Sequence, residues 1–400
     1  MVRLSCELYL LVGIVLILVY TWVGYAALLC VLRLLFGRAL MRDDVALRDE
    51  LGAKPFVSII LPAHDEEERI AAKLQNCLEL DYPPDRLEIL VVSDGSTDGT
   101  EEIVQQFAAR DVRIRLLRSA GRVGKSGVQN LAAQVAEGEI LFLTDAEACA
   151  RPDALALLVS NFANPEVGLV TATLYLGEPS SAIAKGQGLY WRYELFLRQA
   201  ESDLGTLATS SGTALAIRRE IFIPMEACYG DDCVLPLDVR LQGYRVIQEP
   251  RAIVFDAFPH SICGELHARV RMVARNWTGT LSRAAILNPL RFPGTAWGLV
   301  SHKLLRWLTP FFLAALFIAS TISFLHSRHI LLWMSQAGFY GLAFVGWLRT
   351  RSGRRTRVFA LPFAFCLANL GFLLGMIRVF RGHKVVSYTN QARVETTAQG

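Results

Sequence analysis

Apolar residues are concentrated at the two ends of the chain, whereas the middle alternates short apolar and polar stretches. Residues 8–32 form an uncharged apolar run, and residues 308–325, 330–348 and 358–377 form three more. About 20 helical residues cross roughly 30 Å of hydrocarbon, so each run is long enough to span a bilayer. The first run is longer than the core of a cleaved signal peptide and ends in bulky residues, which favours an uncleaved anchor.

These runs divide the chain into five predicted regions. We expect an N-terminal transmembrane anchor over residues 1–40, a cytosolic domain over 54–257, amphipathic interface helices over 258–303, three transmembrane helices over 304–380 and a tail over 381–400. The alternative, that one of the apolar runs is a buried or re-entrant helix, stays open.

The arginines between the last two runs predict the orientation of the chain. Residues 349–357 contain five arginines, and short arginine-rich loops stay in the cytosol. This places the turn at 326–329 outside and the domain at 54–257 in the cytosol, in a multi-pass protein of the plasma (inner) membrane. The basic residues after the last run oppose this arrangement mildly, because it puts the tail outside.

The middle of the chain has the periodicity of an α/β domain. Short apolar runs at residues 57–61, 88–93, 114–117 and 140–144 predict strands, and the stretches between them predict helices. Strands that alternate with helices indicate a Rossmann-like, mostly parallel sheet that is covered on both faces. A polar cluster follows each strand, at the edge of the sheet where ligands bind.

Composition changes this picture little. The chain is 52% hydrophobic with a net charge of +4, so its overall charge does not indicate a nucleic-acid partner. Eight cysteines are scattered without a CxxC pair. We therefore expect buried free thiols in a reducing compartment rather than a disulfide framework.

Asp145 and Glu147 directly follow the fourth predicted strand. In an extended backbone, residues i and i+2 point to the same side, so the two carboxylates can converge on one hard cation such as Mn²⁺ or Mg²⁺. Phosphate oxygens and water would complete its coordination, and the cation would neutralise a diphosphate leaving group. An ordinary solvated loop is the alternative, and the position at a strand end favours the metal.

Three further residues have both a chemical and a structural interpretation. Asp94 can accept hydrogen bonds from a nucleobase or a sugar, or it can belong to a helix-capping turn. Lys125 lies in a glycine-rich loop that lacks P-loop spacing, and it can bind a phosphate or lie on the surface. Asp232, which follows Asp231, can be a general base for an acceptor hydroxyl or can stabilise a helix N-terminus.

Residues 267–283 carry four arginines together with Met272, Val273 and Trp277. This pattern predicts an amphipathic helix that lies on the membrane surface. Its arginines can also bring positive charge to a leaving diphosphate.

Taken in order, these segments resemble glycosyltransferase family 2, the inverting transferases related to cellulose and hyaluronan synthases. The matching pieces are VSIILPAHDEEE, ILVVSDGSTDGTEEI, GKSGVQNLA, ILFLTDAEA, SGTALAIRREIF, GDDCVLPLDVRLQGYRVIQEP and RVRMVARNWTG. No single piece is specific, but the ordered set is. The resemblance implies a GT-A fold, an α/β domain that binds a nucleotide-diphosphate sugar.

The resemblance also implies roles for particular residues. Asp145 and Glu147 match the first and last positions of the family's DxD metal motif, and Asp232 matches the Asp of the ED motif, the catalytic base. The residues implied at the donor are Pro62, Ala63, Glu66, Asp94, Lys125, Asp145, Arg275 and Trp277.

The chain departs from the family pattern in ways that affect the predicted activity. Glu147 stands in place of the usual Asp, and aligning on Trp277 puts Val273 and Asn276 where the Gln and Arg of the QxxRW motif of processive synthases belong. Four membrane helices also leave less material for a translocation channel than a polymer synthase needs.

We therefore expect an inverting glycosyltransferase. It would move a sugar from a nucleotide-diphosphate sugar, by default a UDP-sugar, to a lipid-linked or membrane-proximal glycan acceptor. The alternatives are a processive exopolysaccharide synthase and a non-catalytic membrane subunit with the same fold. A nucleotidyltransferase is disfavoured, because no triphosphate-binding loop occurs early in the chain.

Overall fold

An eight-stranded sheet lies beside a group of long apolar helices in the part of the chain that the computed structural model describes, residues 2–48, 54–176, 182–256, 262–326, 330–352 and 357–382. Two π-helical segments, Tyr20–Gly24 and Leu299–Leu304, interrupt the helical regions. The helices and strands, in chain order, are α1 (Val2–Val19), α2 (Tyr25–Arg48), β1 (Val57–Ala63), α3 (Ile70–Leu78), β2 (Leu87–Ser93), α4 (Thr100–Ala108), β3 (Ile114–Arg118), α5 (Gly124–Val135), β4 (Ile140–Thr144), β5 (Cys149–Ala150), α6 (Ala154–Ser160), β6 (Val167–Leu176), α7 (Ala182–Asp203), β7 (Ala214–Arg218), α8 (Asp231–Leu241), β8 (Arg245–Asp256), α9 (Ile262–Ser282), α10 (Pro293–Gly298), α11 (Leu305–Leu325), α12 (Ile330–Arg351) and α13 (Ala360–Phe380).

The first four strands form the parallel half of the sheet, as the sequence predicts. Their order is β3-β2-β1-β4, and β1 pairs in parallel with both β2 and β4. Every residue of β2 and β4 is buried, which is expected where helices cover both faces of a parallel sheet. Consecutive side chains of β1 point to opposite faces: Ile59 packs in the core beside α3, whereas Ile60 packs against Val128 of α5 and Val234 of α8.

The second half of the sheet is mixed rather than parallel. The chain re-enters the sheet after α7 at the carboxyl edge of β4, where Ala214 pairs with Thr144, so β7 must run antiparallel to β4. β6 is antiparallel to β7, β8 is parallel to β6, and the short β5 lies antiparallel to β8 at the edge. This reversal brings the segment before β7 next to the end of β4, where the backbone N–H of Asp145 donates to the carbonyl of Thr213 at 3.2 Å.

The helix α5 begins earlier than the sequence pattern indicates. The pattern places the helix at residues 128–138, whereas α5 starts at Gly124. Gly124 has a φ of +80°, a conformation that favours glycine. Lys125 therefore lies in the first turn of a helix and not in a flexible loop, which corrects the prediction for its surroundings.

The seven cysteines whose side chains the structure describes are free thiols, so none of these forms the disulfide framework that the sequence disfavours. Only Cys77, Cys228 and Cys233 are buried. The expectation of buried thiols is therefore wrong for Cys30, Cys149 and Cys263, which are exposed, whereas Cys366 is half-buried. The side chain of Cys6 lies outside the described residues.

Four stretches of the described chain are long and apolar enough to cross a membrane, by length and composition. They are Leu8–Gly37, Pro293–Leu325, Ile330–Arg351 and Ala360–Phe380, and they contain most of the four predicted runs. The second stretch begins well before residue 308, because α10, the π-helical segment and α11 follow one another without a break.

The amphipathic helix α9 packs along α13. The side chain of Val273 is fully buried with Phe372 and Met376. About two turns earlier in α9, Leu266 packs with Leu367 of α13. A Cβ atom at Gly375 would lie 2.9 Å from Cβ of Val273, so the contact depends on a small residue. The apolar face of α9 is thus covered by α13, rather than lying wholly against lipid as the surface-helix interpretation implies.

Candidate functional site

One cavity of about 500 Å³ lies between the carboxyl ends of β1, β2 and β4 and the helices α7, α9, α11 and α13. Its walls contain every residue that the sequence implied for the site except Trp277. The implied residues on the wall are Pro62, Ala63, Glu66, Asp94, Lys125, Asp145, Glu147, Asp232 and Arg275. The fold therefore brings together residues that lie more than 200 positions apart in the chain.

Lys125 occupies the centre of the acidic side of this cavity. Its Nζ lies 2.7 Å from Oδ1 of Asp145 and 2.9 Å from Oδ2 of Asp231, and it donates to the carbonyl of Gly212 at 2.9 Å. The side chain therefore connects the end of β4, the start of α8 and the segment before β7. A single cation in this position offsets part of the negative charge of two carboxylates, and Lys125 also lies on the cavity wall.

Asp145 and Glu147 both line the cavity, but by a different geometry from the predicted one. The backbone N–H of Ala148 donates to the carbonyl of Asp145 at 3.2 Å, so residues 145–148 form a turn and not an extended strand. Oε1 of Glu147 lies 3.3 Å from Nη1 of Arg69. The extended-backbone argument for their convergence is therefore wrong, and it is the turn that places both on the cavity wall.

The donor set fits a hard divalent cation that is shared with a ligand. Two carboxylates supply the oxygen ligands that Mg²⁺ and Mn²⁺ prefer. The described residues contain no group of three or more His, Cys, Asp or Glu side chains able to hold a metal ion. Asp145 and Glu147 would thus hold a cation only together with phosphate oxygens and water.

Asp94 joins the end of β2 to the start of α5. Its Oδ1 accepts the backbone N–H of Val123 at 2.7 Å, and its Oδ2 accepts that of Gly124 at 2.9 Å. Both oxygens thus stabilise the N-terminus of α5, whose second residue is Lys125. Asp94 also lies on the cavity wall. Asp94 thus supports the start of α5 and not a local capping turn before α4, where Oδ1 of Asp98 accepts the N–H of Thr100 at 3.1 Å. Its contact with a nucleobase or sugar stays a prediction.

Glu66 is a buried carboxyl at the same end of the cavity. Burial, followed by the nearby charge of Glu147, raises the pKa of Glu66 to about 7, although the guanidinium of Arg69 partly opposes this rise. Nη1 of Arg69 is 3.4 Å from Oε2 of Glu66. Glu66 therefore changes charge near neutral pH, in the region predicted for the nucleoside.

The adjacent carboxylates Asp231 and Asp232 have opposite environments. Burial would raise the pKa of Asp231, but the charge of Lys125 and a 3.0 Å hydrogen bond from Gln129 hold it below its usual value. Burial and the charge of Asp231 raise the pKa of Asp232, with partial opposition from Asn276. Two carboxylates with separated pKa values suit different roles, one structural and one a proton acceptor.

The helix α9 places two neighbouring residues in the site and turns a third away. Nη2 of Arg275 contacts the carbonyl of Tyr229 and Oγ of Ser126, and Nδ2 of Asn276 donates to Oδ2 of Asp232 at 3.3 Å. Trp277 packs against Trp307 with ring centroids 6.0 Å apart and is not on the cavity wall. The sequence did not assign a role to Asn276, although its position in the altered motif was visible.

The wall of the cavity formed by α7, the π-helical segment that precedes α11 and the start of α11 contains basic residues that the sequence reasoning missed. His302, Lys303 and Arg306 lie on this wall together with Arg198 of α7. The first three fall within the apolar stretch Pro293–Leu325, and charged residues inside an apolar segment are a signal for function. All three lie before the apolar run at residues 308–325, so this signal becomes visible only where the structure extends the helical stretch back to Pro293.

Comparison with known proteins agrees with this fold and site. A solved mannosyltransferase from Pyrobaculum calidifontis, in complex with GDP-Man and Mn²⁺, is 26% identical with a TM-score of 0.60, and the match covers 86% of this chain and 98% of that one. The sheet, the cavity at its carboxyl edge and this likeness define a GT-A glycosyltransferase fold.

The sequence matches point to the same class of protein. Residues 58–224 match the model of the family described as Glycosyl transferase family 2. The beta-monoglucosyldiacylglycerol synthase of Nostoc sp. is 30% identical over 182 residues, 45% of this chain and 38% of that one. The poly-beta-1,6-N-acetyl-D-glucosamine synthase of Staphylococcus epidermidis is 26% identical over 223 residues, 54% of this chain and 53% of that one. The matches thus cover about half or less of these relatives.

Proposed function

We propose that this chain is a membrane-bound inverting glycosyltransferase, which transfers a sugar from a nucleotide-diphosphate sugar to an acceptor presented at the membrane. One observation carries the proposal: Lys125, Asp145 and Asp232 line a single cavity whose wall also includes Trp307 of α11 and Phe372 of α13. A polar donor and an amphiphilic acceptor can meet in such a space. We place the domain in the cytosol and the apolar helices in the plasma membrane, because of the arginine-rich segment at 349–357.

The donor would bind at the carboxyl edge of β1, β2 and β4. Pro62, Ala63, Glu66 and Asp94 would line the nucleoside, and Lys125 would face the diphosphate. When bound, a Mn²⁺ or Mg²⁺ ion held by Asp145 and Glu147 would supply Lewis-acid stabilisation of the leaving diphosphate. Arg275 adds a further positive charge on the same wall. Trp277 would act indirectly, through its packing against Trp307 of that wall.

Asp232 is the proposed general base. It takes the proton of the acceptor hydroxyl while that oxygen forms a bond to the anomeric carbon. The bond from this carbon to the diphosphate oxygen breaks, and its electron pair leaves with the nucleoside diphosphate. Because the hydroxyl attacks from the face opposite to the leaving group, the configuration inverts. The raised pKa of Asp232 makes it a stronger proton acceptor than an ordinary aspartate.

The donor sugar and acceptor are narrower proposals. We propose a UDP-sugar as the donor. A GDP-sugar is the first alternative, because of the likeness to a structure that holds GDP-Man. The acceptor is a lipid or a lipid-linked glycan. Processive synthesis is the second candidate, favoured by the likeness to a poly-beta-1,6-N-acetyl-D-glucosamine synthase.

The test is a panel of UDP- and GDP-sugars offered to the purified full chain in detergent with Mn²⁺ and extracted membrane lipids, with released nucleoside diphosphate and product length as readouts. We expect release with one donor class and short products. Asp232→Asn should lower the rate by about 10²-fold or more while donor binding persists.

Asp153→Asn is the matched control, because Asp153 is an exposed aspartate that pairs with Arg151 outside the cavity. Wild-type rates in Asp232→Asn would remove the base assignment. Absence of release with every donor would remove the transferase proposal, and long products would establish the processive alternative.

A further inference from the structure

Four basic side chains surround one buried carboxylate on the membrane side of the cavity. Oε1 of Glu194 accepts Nε of Arg198 at 3.1 Å and contacts Nζ of Lys303. Oε2 of Glu194 accepts Nη1 of Arg306 and faces Nε2 of His302, both at 2.9 Å. We call Arg198, His302, Lys303 and Arg306 the basic cluster.

The basic cluster carries more positive charge than its carboxylates neutralise. Besides Glu194, it is hydrogen-bonded to Glu201, whose Oε1 lies 2.7 Å from Nδ1 of His302. Both ring nitrogens of His302 face carboxylate oxygens. Without counting His302, Arg198, Lys303 and Arg306 are three cations against the two carboxylates of Glu194 and Glu201. Glu194 is 2% exposed and His302 1% exposed, and a buried surplus of charge calls for a counter-ion.

Arg306 has hydrogen-bonding capacity that the described chain does not use. Its side chain is 2% exposed, and its guanidinium carbon lies 4.9 Å from the ring centre of Tyr193 and 5.2 Å from that of Trp22. Nη1 bonds to Glu194, and the Tyr193 side chain is a further polar neighbour of the guanidinium. Nε and Nη2 make no hydrogen bond of ordinary geometry within the described residues. Arg306 nevertheless lies on the cavity wall. A guanidinium with donors to spare is suited to an oxyanion.

The cluster also lies near the proposed base and next to apolar surface. The charge of Arg198 acts on Asp232, where it opposes the dominant effect of burial on the pKa. Trp307 and Phe372 complete the wall beside it, and Arg306 belongs to an apolar stretch long enough to cross a membrane. A ligand here has an anionic head near Asp232 and an apolar part along α11 and α13. The π-helical segment Leu299–Leu304, which contributes His302 and Lys303, is of a kind frequent at functional sites.

We propose that the basic cluster is a binding site for a phosphate-type oxyanion, borne by the amphiphilic acceptor. The site is separate from the donor's diphosphate region at Lys125 and Asp145, since it is built from α7, the π-helical segment Leu299–Leu304 and the start of α11. That the oxyanion belongs to the acceptor rests on the proposed function. That the basic cluster binds an oxyanion does not. It narrows the acceptor to amphiphiles whose phosphate lies close to the attacking oxygen.

The test measures binding without any donor. The purified full chain in an uncharged detergent is titrated with decyl phosphate, decyl maltoside, inorganic phosphate and the nucleoside diphosphates UDP and GDP, with the thermal unfolding midpoint and an apparent Kd as readouts. We expect decyl phosphate to raise the midpoint and to bind at least tenfold more tightly than decyl maltoside or inorganic phosphate.

Two variants and one control assign the site. Arg306→Gln and Lys303→Gln should each weaken decyl phosphate binding at least tenfold, whereas Arg192→Gln should not. Arg192 is an exposed arginine on the same helix as Glu194 and outside the cavity wall. If neither cluster variant folds, the comparison of decyl phosphate with decyl maltoside on the wild-type chain still decides.

Four results would overturn the inference. Decyl phosphate could bind no more tightly than decyl maltoside, or the cluster variants could bind it as Arg192→Gln does. Alternatively, the cluster variants could lose only UDP or GDP binding, which would assign the oxyanion to the donor. Sugar transfer without a phosphate requirement would refute this inference and leave the proposed function standing. Decyl phosphate binding at the basic cluster of a chain that transfers no sugar would refute the proposed function and leave the anion site standing.

Discussion

Removing the ammonium of Lys125 is the sharpest test of how the site is held together. Lys125→Met leaves Asp145 and Asp231 without the cation that lies 2.7 and 2.9 Å from them. Removing one partner of a buried ion pair costs about 3–5 kcal/mol. We expect the lower end, about 3 kcal/mol, because the side chain of Asp145 is 35% exposed whereas that of Asp231 is 7% exposed.

The assay is thermal unfolding of the full chain in detergent, with donor binding measured in parallel. At about 2–4 °C per kcal/mol for a large domain, a loss of about 3 kcal/mol lowers the midpoint by roughly 6–12 °C. Lys54→Met is the matched control, because Lys54 is exposed and lies over the ring of Tyr82, away from the cavity.

The pH dependence separates unpaired charge from lost packing. In the wild-type chain the pKa of Asp231 is lowered, so its contribution to stability is present above the usual pKa of an aspartate and is lost as the pH falls through the lowered value. In Lys125→Met, protonation relieves the unpaired carboxylates. The difference in midpoint between the two chains should therefore be largest at neutral pH and shrink towards acid.

A second substitution checks the same reasoning. Lys125→Met combined with Asp231→Asn should recover part of the lost stability, since one of the two unpaired charges is gone. The reasoning is refuted if Lys125→Met unfolds at the same midpoint as Lys54→Met, or if its deficit is the same at every pH.

Three further predictions follow from the same geometry. Burial raises the pKa of Glu66 from 4.5 to about 7, so the folded chain binds a proton more tightly than the unfolded one. The stability of the wild-type chain relative to Glu66→Gln should therefore fall as the pH rises from 4.5 to about 7 and stay level above it. A difference in unfolding midpoint that does not change with pH would contradict this. Gly230→Ala should lower kcat at least tenfold with little loss of stability, because the added Cβ would lie 2.5 Å from Oδ1 of Asp232 and 2.6 Å from Oδ1 of Asn276, at the movable ends of both side chains; unchanged kcat would show that this carboxylate position is not needed. Chelation should abolish transfer and added Mn²⁺ or Mg²⁺ should restore it, so activity indifferent to chelator would remove the metal assignment.

Structural elements that depend on residues close together in the sequence were predicted well. The four parallel strands are visible because buried strands leave continuous apolar runs, and β4 has the predicted bounds of residues 140 and 144. The apolar helices are visible because length and hydropathy are local properties. The start of α5 was misplaced, because its first turn depends on Asp94, whose carboxylate bonds to Val123 and Gly124 from the end of another strand.

The sequence by itself determined the α/β domain, the apolar helices and the polar residues at the strand ends, because periodicity and residue type are read from neighbours along the chain. Only the tertiary structure decided that Lys125 bridges Asp145 and Asp231, since these lie on three different elements. It also decided that Trp277 packs away from the cavity. Glu194, likewise, contacts four basic side chains from α7, the π-helical segment Leu299–Leu304 and the start of α11 only in the folded chain. Such contacts depend on how helices pack, which a one-dimensional pattern of polarity does not contain.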